Sequence, residues 1–271
     1  MQGGGAGDPR RLGQHSLRDP KLAAALIRAA SISRSDAVVE IGAGGGILTR
    51  ELARAAKQVV AVELDPSLAA ALIDRFHDRS DVMVVAGDAL RFPLPQEPFR
   101  VFGNIPFGIT TEMLHYLLDR PEAAMGRADV IVERGAALKR SRPRGNLLNL
   151  SWGPWWKFSM GRVIPAHSFA PRPSVDAAVL RIDKRKEPLL PGPERSDYLA
   201  FVRASFASSS IRSAWRRSLS PAHIASLVRE LGISPDAAPA ELSLAQWIAL
   251  YRGVLKEPAI RRGNARRDQL L

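Results

Sequence analysis

The tetrapeptide Asn104-Ile105-Pro106-Phe107 joins an amide that both donates and accepts, a stiff proline and an aromatic face. These are the groups a flat purine needs. An adenine amino group is a poor nucleophile because its lone pair is delocalised into the ring, so an alkylating site must hold both N–H bonds with acceptors. The Asn104 side chain and the Ile105 carbonyl offer two. The tetrapeptide lies between the apolar run Phe99 to Phe102 and a helix-like run that begins Thr110-Thr111-Glu112-Met113-Leu114. That places it at the carboxyl end of a strand, where open α/β sheets collect ligands. The same residues also suit a plain strand-to-helix turn in which Asn and Pro set backbone angles, so the other strand ends must decide between the two.

Upstream, Ala37-Val38-Val39-Glu40-Ile41 reads as a buried parallel-type strand that runs into Gly42-Ala43-Gly44-Gly45-Gly46 and a helix from Ile47 to Ala56. The glycines permit positive φ and let backbone N–H groups approach a ligand. Their spacing is Gly-x-Gly-x-Gly, not the Gly-x-Gly-x-x-Gly of a dinucleotide fingerprint, which disfavours a nicotinamide cofactor. Tight strand–helix packing is the alternative use of such a loop. A second strand, Gln58 to Val62, ends in Glu63, seventeen residues past Gly46, where an acid can accept both hydroxyls of a ribose. A third, Val82 to Val85, closes on Gly87-Asp88-Ala89, where an acid can accept an adenine amino group. A glycine loop, two acids and Asn104 at four successive strand ends form a constellation more specific than any member.

Composition narrows the partners. The chain has 271 residues, enough for one large and one small domain, and no cysteine, which removes disulfides, thiolate catalysis and cysteine-ligated metal. Its five histidines, at 15, 77, 115, 167 and 223, form no close pair, so no metal site is expected. No run approaches a membrane span and no hydrophobic signal core is seen, so a cytoplasmic protein is expected. Residues 1–100 hold 13 basic and 12 acidic residues, which leaves 26 basic and 15 acidic on residues 101–271. A near-neutral half suits a small cofactor. A basic half suits a polyanion, although basic composition alone can also reflect solubility.

Downstream, Ala128 to Val132 reads as a strand that runs into Glu133 and then Arg134, Lys139, Arg140, Arg142 and Arg144, a set of candidate phosphate contacts or a solvated helix face. Trp152, Trp155 and Trp156 are candidates for base stacking or for strand and core positions. Arg162 to Pro165 and Phe169-Ala170-Pro171-Arg172-Pro173 frame a rigid loop before a strand at Val175 to Ile182. Charge and proline between Lys184 and Pro193 mark a domain boundary. Beyond it, helical periodicity covers Tyr198 to Phe206, Ile211 to Leu219, Ala222 to Leu231 and Leu244 to Leu255. The expected organisation is a disordered lead at 1–12, a cofactor-binding α/β domain at 13–186, a helical domain at 187–257 and a basic disordered tail at 258–271.

On Gly13-Gln14, Glu40-Ile41-Gly42-Ala43-Gly44, Asn104-Ile105-Pro106-Phe107 and Phe169-x-Pro171-x-Pro173-x-Val175-Asp176-Ala177, the chain resembles the rRNA adenine N6-methyltransferases over roughly residues 11–255. Ile105 and the Trp-Gly-Pro-Trp-Trp stretch resemble the erythromycin-resistance (Erm) branch, with the small-subunit dimethyladenosine transferases as cousins. The resemblance implies a Rossmann-like α/β fold with a seven-stranded, mostly parallel sheet and a small C-terminal all-α domain. It implies S-adenosylmethionine as cofactor, an adenine of large-subunit 23S rRNA before full assembly as target, resistance to macrolide-type antibiotics, and a monomer. By position, Gln14, His15, Leu17, Gly42, Gly44, Glu63, Leu64, Asp88, Ala89 and Asn104 would bind the cofactor. Asn104, Ile105, Pro106, Phe107 and Phe169 would form the catalytic set, with Phe107 and Phe169 stacking on a flipped base. RNA would meet Arg134, Lys139, Arg140, Arg142, Arg144, Arg212, Arg216 and Arg217. The family usually has Gln-Asn-Phe where Gln14-His15-Ser16 stands, and tyrosine where Phe107 stands. Phenylalanine keeps the stacking face without the hydroxyl, and a histidine brings a charge that can change with pH. A non-catalytic RNA-binding assembly factor would show a damaged cofactor motif, whereas Gly42, Glu63, Asp88 and Asn104 all stand.

If the basic half grips phosphates, removal of charge at Arg134, Lys139, Arg140 or Arg142 weakens binding to any RNA and flattens the salt dependence of affinity by about one unit per lost contact. Titrations of RNA at several salt concentrations check this, and an unchanged slope would assign those side chains to solvent.

Overall fold

The computed structural model describes residues 15–142, 146–215 and 220–255. The expected lead, Gln14, Arg144, Arg216, Arg217 and the basic tail lie outside the described residues. The chain begins with β1 (Ser16–Leu17), α1 (Pro20–Ala29), β2 (Ala37–Ile41), α2 (Ile47–Ala55), β3 (Gln58–Glu63), α3 (Pro66–Arg75), β4 (Val82–Ala86) and β5 (Phe99–Asn104). It continues through α4 (Thr110–Leu118), β6 (Met125–Glu133), α5 (Arg134–Ser141), α6 (Leu147–Trp152), β7 (Trp156–Ile164), β8 (Phe169–Ala170) and β9 (Ala177–Lys184). The helices α7 (Arg195–Phe206), α8 (Ile211–Trp215), α9 (Pro221–Glu230) and α10 (Leu244–Leu255) close it. By contacts, the described residues of Met1–Ser141 and Lys157–Lys184 form one compact unit, and those of Arg142–Trp156 and Arg185–Leu271 form a second.

Seven strands form a sheet in the order β4-β3-β2-β5-β6-β9-β7. The five from β4 to β6 pair in parallel, and β9 runs antiparallel to β6. The alternation of apolar strand and amphipathic helix dictates this, because parallel neighbours need a crossover and a helix covers the sheet face at each crossover. Start signals are explicit at two helices. The Asp19 carboxylate accepts from the Lys21 amide ahead of α1, and Asp65 accepts from Ser67 and Leu68 ahead of α3, each followed by a proline at the first helical position. Such caps contribute about 1 kcal/mol each. The core under α1 and α2 joins Leu22, Leu26, Ile27, Leu48 and Leu52 to Val38, Val59, Phe102 and Ile131 of the sheet.

Strand order reverses at β2. From there the chain builds outward through β3 and β4 on one side, then returns to β5 on the other, so the carboxyl ends of β2 and β5 open a crevice.

Three strands and one helix escaped the sequence reading. β1 and β8 are two residues long and hold each other antiparallel, Ser16 opposite Ala170 and Leu17 opposite Phe169, too short for any periodicity. β7 is an edge strand whose Lys157, Ser159, Met160, Gly161 and Arg162 are exposed, so no apolar alternation marks it. α6 is only six residues long, too short for a helical period to show. The last strand begins at Ala177 rather than Val175, because Val175 is exposed and the Asp176 carboxylate turns back to accept the Ala166 amide at 3.0 Å.

In the second unit, Trp155, Tyr198, Tyr251, Phe201, Trp247 and Trp215 make successive ring contacts at 5.3–6.1 Å. Trp152, Trp155 and Trp156 are buried, so the stacking use considered for them gives way to core packing.

At the amino ends of the strands, three arginines converge on the carboxyl end of α1. Arg100 donates to the Ala30 and Ser31 carbonyls, Arg181 to Ala29, and Arg127 to Ala30. Asp129, 1% exposed, lies 2.8 Å from Arg181 and 3.5 Å from Arg100. Burial pushes its carboxyl up, and Arg181, Arg127 and Arg100 draw it back. Removing one partner of a buried ion pair leaves the other charge uncompensated. Asp129→Ala is therefore expected to lose about 3–5 kcal/mol in urea unfolding, and a loss below about 1 kcal/mol, the value of an exposed pair, would show the cluster to be solvated.

Candidate active site

The glycine loop after β2 turns on itself. Gly42, Gly44 and Gly46 have φ of 72°, 54° and 78°, conformations that favour glycine. At Gly42 a Cβ would also sit 3.0 Å from the Asn104 carbonyl oxygen, so the absence of a side chain lets the loop pass directly beside the end of β5. The loop is tied to β3 as well. The Gly44 amide donates to Glu63 Oε2 at 2.7 Å, and the Asp65 amide donates to Oε1 at 2.9 Å. Glu63, only 2% exposed, is thus held by one backbone donor on each oxygen, and a carboxylate oxygen has a second lone pair to offer.

At the end of β5, Asn104 Nδ2 donates to the His15 carbonyl at 2.5 Å. A carbonyl can only accept, so the amide nitrogen must face it and Oδ1 is the end left for a ligand. The Ile105 amide donates to Ile131 at 3.1 Å, and the Thr110 hydroxyl donates to the Phe107 carbonyl at 3.1 Å, which sets the turn into α4. The Phe107 ring lies 5.4 Å from the His15 ring, tilted by 49°. His15 Nδ1 stands 2.8 Å from the Pro171 carbonyl.

These pieces line one cleft, walled by His15, Ser16, Gly42, Gly44, Glu63, Leu68 and Asn104 through Phe107. A second hollow shares Ser16, Gly42, Gly44, Leu68 and Asn104 and continues along Leu17, Gly45, Ile47 and Leu48. Together they bring most of the expected cofactor and catalytic positions to one place. Leu64, Asp88 and Ala89 line neither hollow. Asp88 instead accepts the Leu90 amide at 2.9 Å and lies 3.8 Å from Arg91. Phe169 is 1% exposed, packed in the core with Leu17, with Phe107 against that cluster, so its ring face is not open to a base here. Among the basic positions, Arg134, Lys139 and Arg142 are exposed, whereas Arg140 is 8% exposed. A buried guanidinium is no outward phosphate contact, and burial lowers its proton affinity. Arg212 lies 3.2 Å from Asp236, an exposed pair that water screens.

Sequence reasoning did not single out Ser16, Leu68 or the Pro171 carbonyl, and it quoted Glu40 only as part of a motif. Ser16 is one residue from a named position, and Leu68 follows Glu63 in the first turn of α3. The Pro171 carbonyl is a long-range contact with no local signal.

Glu40 lies beneath the loop, fully buried, with neither oxygen hydrogen-bonded. Burial pushes its carboxyl up to about 8, the neighbouring Glu63 charge adds to this, and the nearby Thr49 hydroxyl and amide, short of hydrogen-bond geometry, offset part of it. The folded protein therefore holds a proton here that an unfolded chain, titrating at about 4.3, releases. That contribution is full at acid pH and is lost as pH rises through 8. Denaturant unfolding at pH 6 and pH 8.5 is expected to show the parent losing stability on the order of 1 kcal/mol per pH unit, and Glu40→Gln is expected to flatten that slope. An equally steep slope in Glu40→Gln would place the titration elsewhere.

The family described as "Ribosomal RNA adenine dimethylase" matches residues 8–254. An rRNA adenine N-6-methyltransferase of Saccharopolyspora erythraea is 31% identical over 266 residues, 96% of this chain and 69% of that protein. The mycinamicin-resistance protein MyrB of Micromonospora griseorubida is 33% identical over 269 residues, 96% of this chain and 85% of that one. The crystal structure of the 23S rRNA methyltransferase ErmE superposes with a TM-score of 0.79 at 30% identity, covering 89% of this chain and 99% of that one. With the glycine cradle, the buried acid and the asparagine turn assembled at one crevice, the chain belongs to the ribosomal RNA adenine dimethylase family.

Proposed function

We propose that this protein transfers methyl groups from S-adenosylmethionine to N6 of an adenine in 23S rRNA, the activity behind macrolide-type resistance. The observation that carries the reading is the orientation of Asn104, whose Oδ1 is turned away from the His15 carbonyl in a cleft that also holds Glu63 and the glycine loop. The names of the relatives support the substrate class.

The cleft fits this cofactor. Glu63 has lone pairs left for two ribose hydroxyls, and the glycine loop offers a surface without side chains on which a flat or extended ligand can lie. Leu68, Ile47 and Leu48 supply apolar walls. When bound, the sulfonium supplies an already activated methyl group, so the protein needs no strong base. Asn104 Oδ1 and the Ile105 carbonyl would accept the two N–H bonds of the target amine, which turns its lone pair toward the methyl and holds it in line. The Phe107 ring, half-buried at the cleft mouth, would stack on the extruded base, since a paired adenine cannot reach the site. The proton is lost once the nitrogen has formed its new bond. Arg134 and Arg142, both exposed, are candidates for the phosphate contacts. Among the described residues no helix is long and apolar enough to cross a membrane.

Ribosomal RNA of each subunit, incubated with the protein and methyl-labelled S-adenosylmethionine and then mapped, tests the assignment. Label at an adenine N6 of 23S rRNA is expected. Label confined to the small-subunit RNA would move the protein to the branch that acts there. In single turnover, Asn104→Ala is expected to slow transfer by about 10²–10³ because it removes one preorganised acceptor, with RNA affinity kept. Transfer at the parent's rate would reduce Asn104 to a turn residue.

A further inference from the structure

We infer that Glu40 is the residue by which the cleft tells a sulfonium cofactor from its neutral thioether product: uncharged in the free protein and beside the product, its carboxyl ionises when the sulfonium is bound. This inference rests on the cofactor assigned under Proposed function.

The geometry provides for both states. Glu40 stands two residues before Gly42 on an extended strand, within about 7 Å of chain from the loop whose Gly42 and Gly44 line the cleft. Those glycines place no side chain between the carboxyl and a ligand lying on the loop. Neither Glu40 oxygen has a hydrogen-bond partner among the described residues, and a fully buried carboxyl without one is held in its neutral form. The ionised form has donors close by. α2 starts after Gly46 with no side-chain cap, so the amides of its first turn lack intrahelical acceptors. The Thr49 amide is one of them, and it and the Thr49 hydroxyl, itself buried and unpartnered, favour the charged form of Glu40. Burial raises the carboxyl to about 8, so one added positive charge acting through protein rather than solvent suffices to ionise it near neutral pH.

The surrounding charges leave that role open. On β3, Glu63 opposes a second negative charge. On α2, Glu51 is paired with Arg50 and Arg54. Arg75 on α3 donates to the Gly45 carbonyl at 2.5 Å, with both residues exposed to solvent. Arg100 on β5 is held at the other end of the sheet by Asp36 and Asp129, and Lys21 and Arg28 on α1 are exposed. Of the described residues lining the two hollows, His15 and Glu63 are the titratable ones. S-adenosylmethionine and S-adenosylhomocysteine share carboxylate, ammonium, ribose and base, and differ by a methyl group and one positive charge. That charge attracts an ionised Glu40. Below about 8 the free carboxyl holds its proton, so binding of the sulfonium releases it and tightens as pH rises toward 8, whereas the product leaves the carboxyl neutral. On transfer the methyl passes from sulfur to the amine nitrogen, the sulfur keeps the bonding pair, the nitrogen gives up a proton to solvent, and Glu40 takes one back.

Calorimetry with each nucleoside at pH 6.5, 7.0 and 7.5, in two buffers of different ionisation enthalpy, tests this. In the parent the ratio of the two dissociation constants is expected to move in favour of S-adenosylmethionine by on the order of tenfold across that range, the change that one coupled proton gives per pH unit. More protons are expected to leave on binding the cofactor than on binding the product. Glu40→Gln keeps the size of the side chain and cannot ionise, so its ratio is expected to stay flat by comparison. The amino groups of the nucleosides titrate alike with parent and variant, and the comparison isolates the proton of the protein. In His15→Asn, whatever its absolute affinities, the ratio is expected to keep the pH dependence of the parent. Equal proton release by the parent with both nucleosides, the parent's pH-dependent ratio in Glu40→Gln, or its loss in His15→Asn would each overturn the inference and leave the cofactor in place. Failure of the parent to bind either nucleoside would instead overturn the cofactor assignment. The proton count uses the unaltered protein and does not depend on how well a variant folds.

Discussion

The site depends on the passage of Gly42 beside Asn104, where any Cβ would stand 3.0 Å from a backbone oxygen. β2 and β5 are neighbours in the sheet although fifty-seven residues separate the end of one from the start of the other. Their juxtaposition brings the loop that would cradle the cofactor to the turn that would hold the target amine. A methyl transfer needs its two reactants within bonding distance along one line, and this is the place where the fold can arrange that. The positive φ at Gly42, Gly44 and Gly46 follows from the same need, because the chain must reverse within a few residues to leave the strand end open. Glu63 then locks the reversal from the side, with Gly44 on one oxygen and Asp65 on the other.

A second layer of order comes from residues distant in sequence. The short ladder of β1 and β8 brings His15 to Asn104 on one side and to Pro171 on the other. Neither strand could persist alone, since two residues bury too little to offset the entropy of ordering them. They persist because Leu17 and Phe169 are both sunk in the core that α1 and α2 share with the sheet. The arginine cluster at the far end of α1 fixes the same helix from its carboxyl end. The burial of Phe169 has a cost for function. A ring that anchors this ladder cannot also be an open stacking platform, so in this conformation Phe107, and not Phe169, lines the cleft.

What could be read from the sequence was what local chemistry determines. Strands β2 to β6 announce themselves as apolar runs, and the residues at three of their carboxyl ends, Gly42, Glu63 and Asn104, meet in one cleft because parallel strands put those ends on one side of the sheet. Asp88 ends a strand by the same logic, yet it does not line the cleft, because β4 is the edge of the sheet and its loop turns back on Leu90. The reading failed where tertiary context decides. Arg140 looks like its basic neighbours in sequence, but the helical phase of α5 turns it inward beside Ala137. For Trp152, Trp155 and Trp156 the sequence left base stacking and core positions both open, and the packing of the second unit places them in the core. Glu40, an acid in an apolar strand, gives no sign in sequence of being left without a partner.

The distribution of charge bears on how the reaction is made selective. The cleft holds one acid and one histidine, whereas the chain as a whole carries +12, nearly all of it downstream of residue 100. A strongly cationic pocket would repel the sulfonium that must enter it, and a neutral exterior would give the RNA phosphates nothing to bind. Separating the two lets each partner meet a suitable field. The small ligand is then held by hydrogen bonds of fixed direction, and the polyanion by charges whose individual positions matter less. Direction belongs in the cleft because alkylation of an amine tolerates little misalignment, while charge belongs outside because it acts over a Debye length of about 8–10 Å in physiological salt.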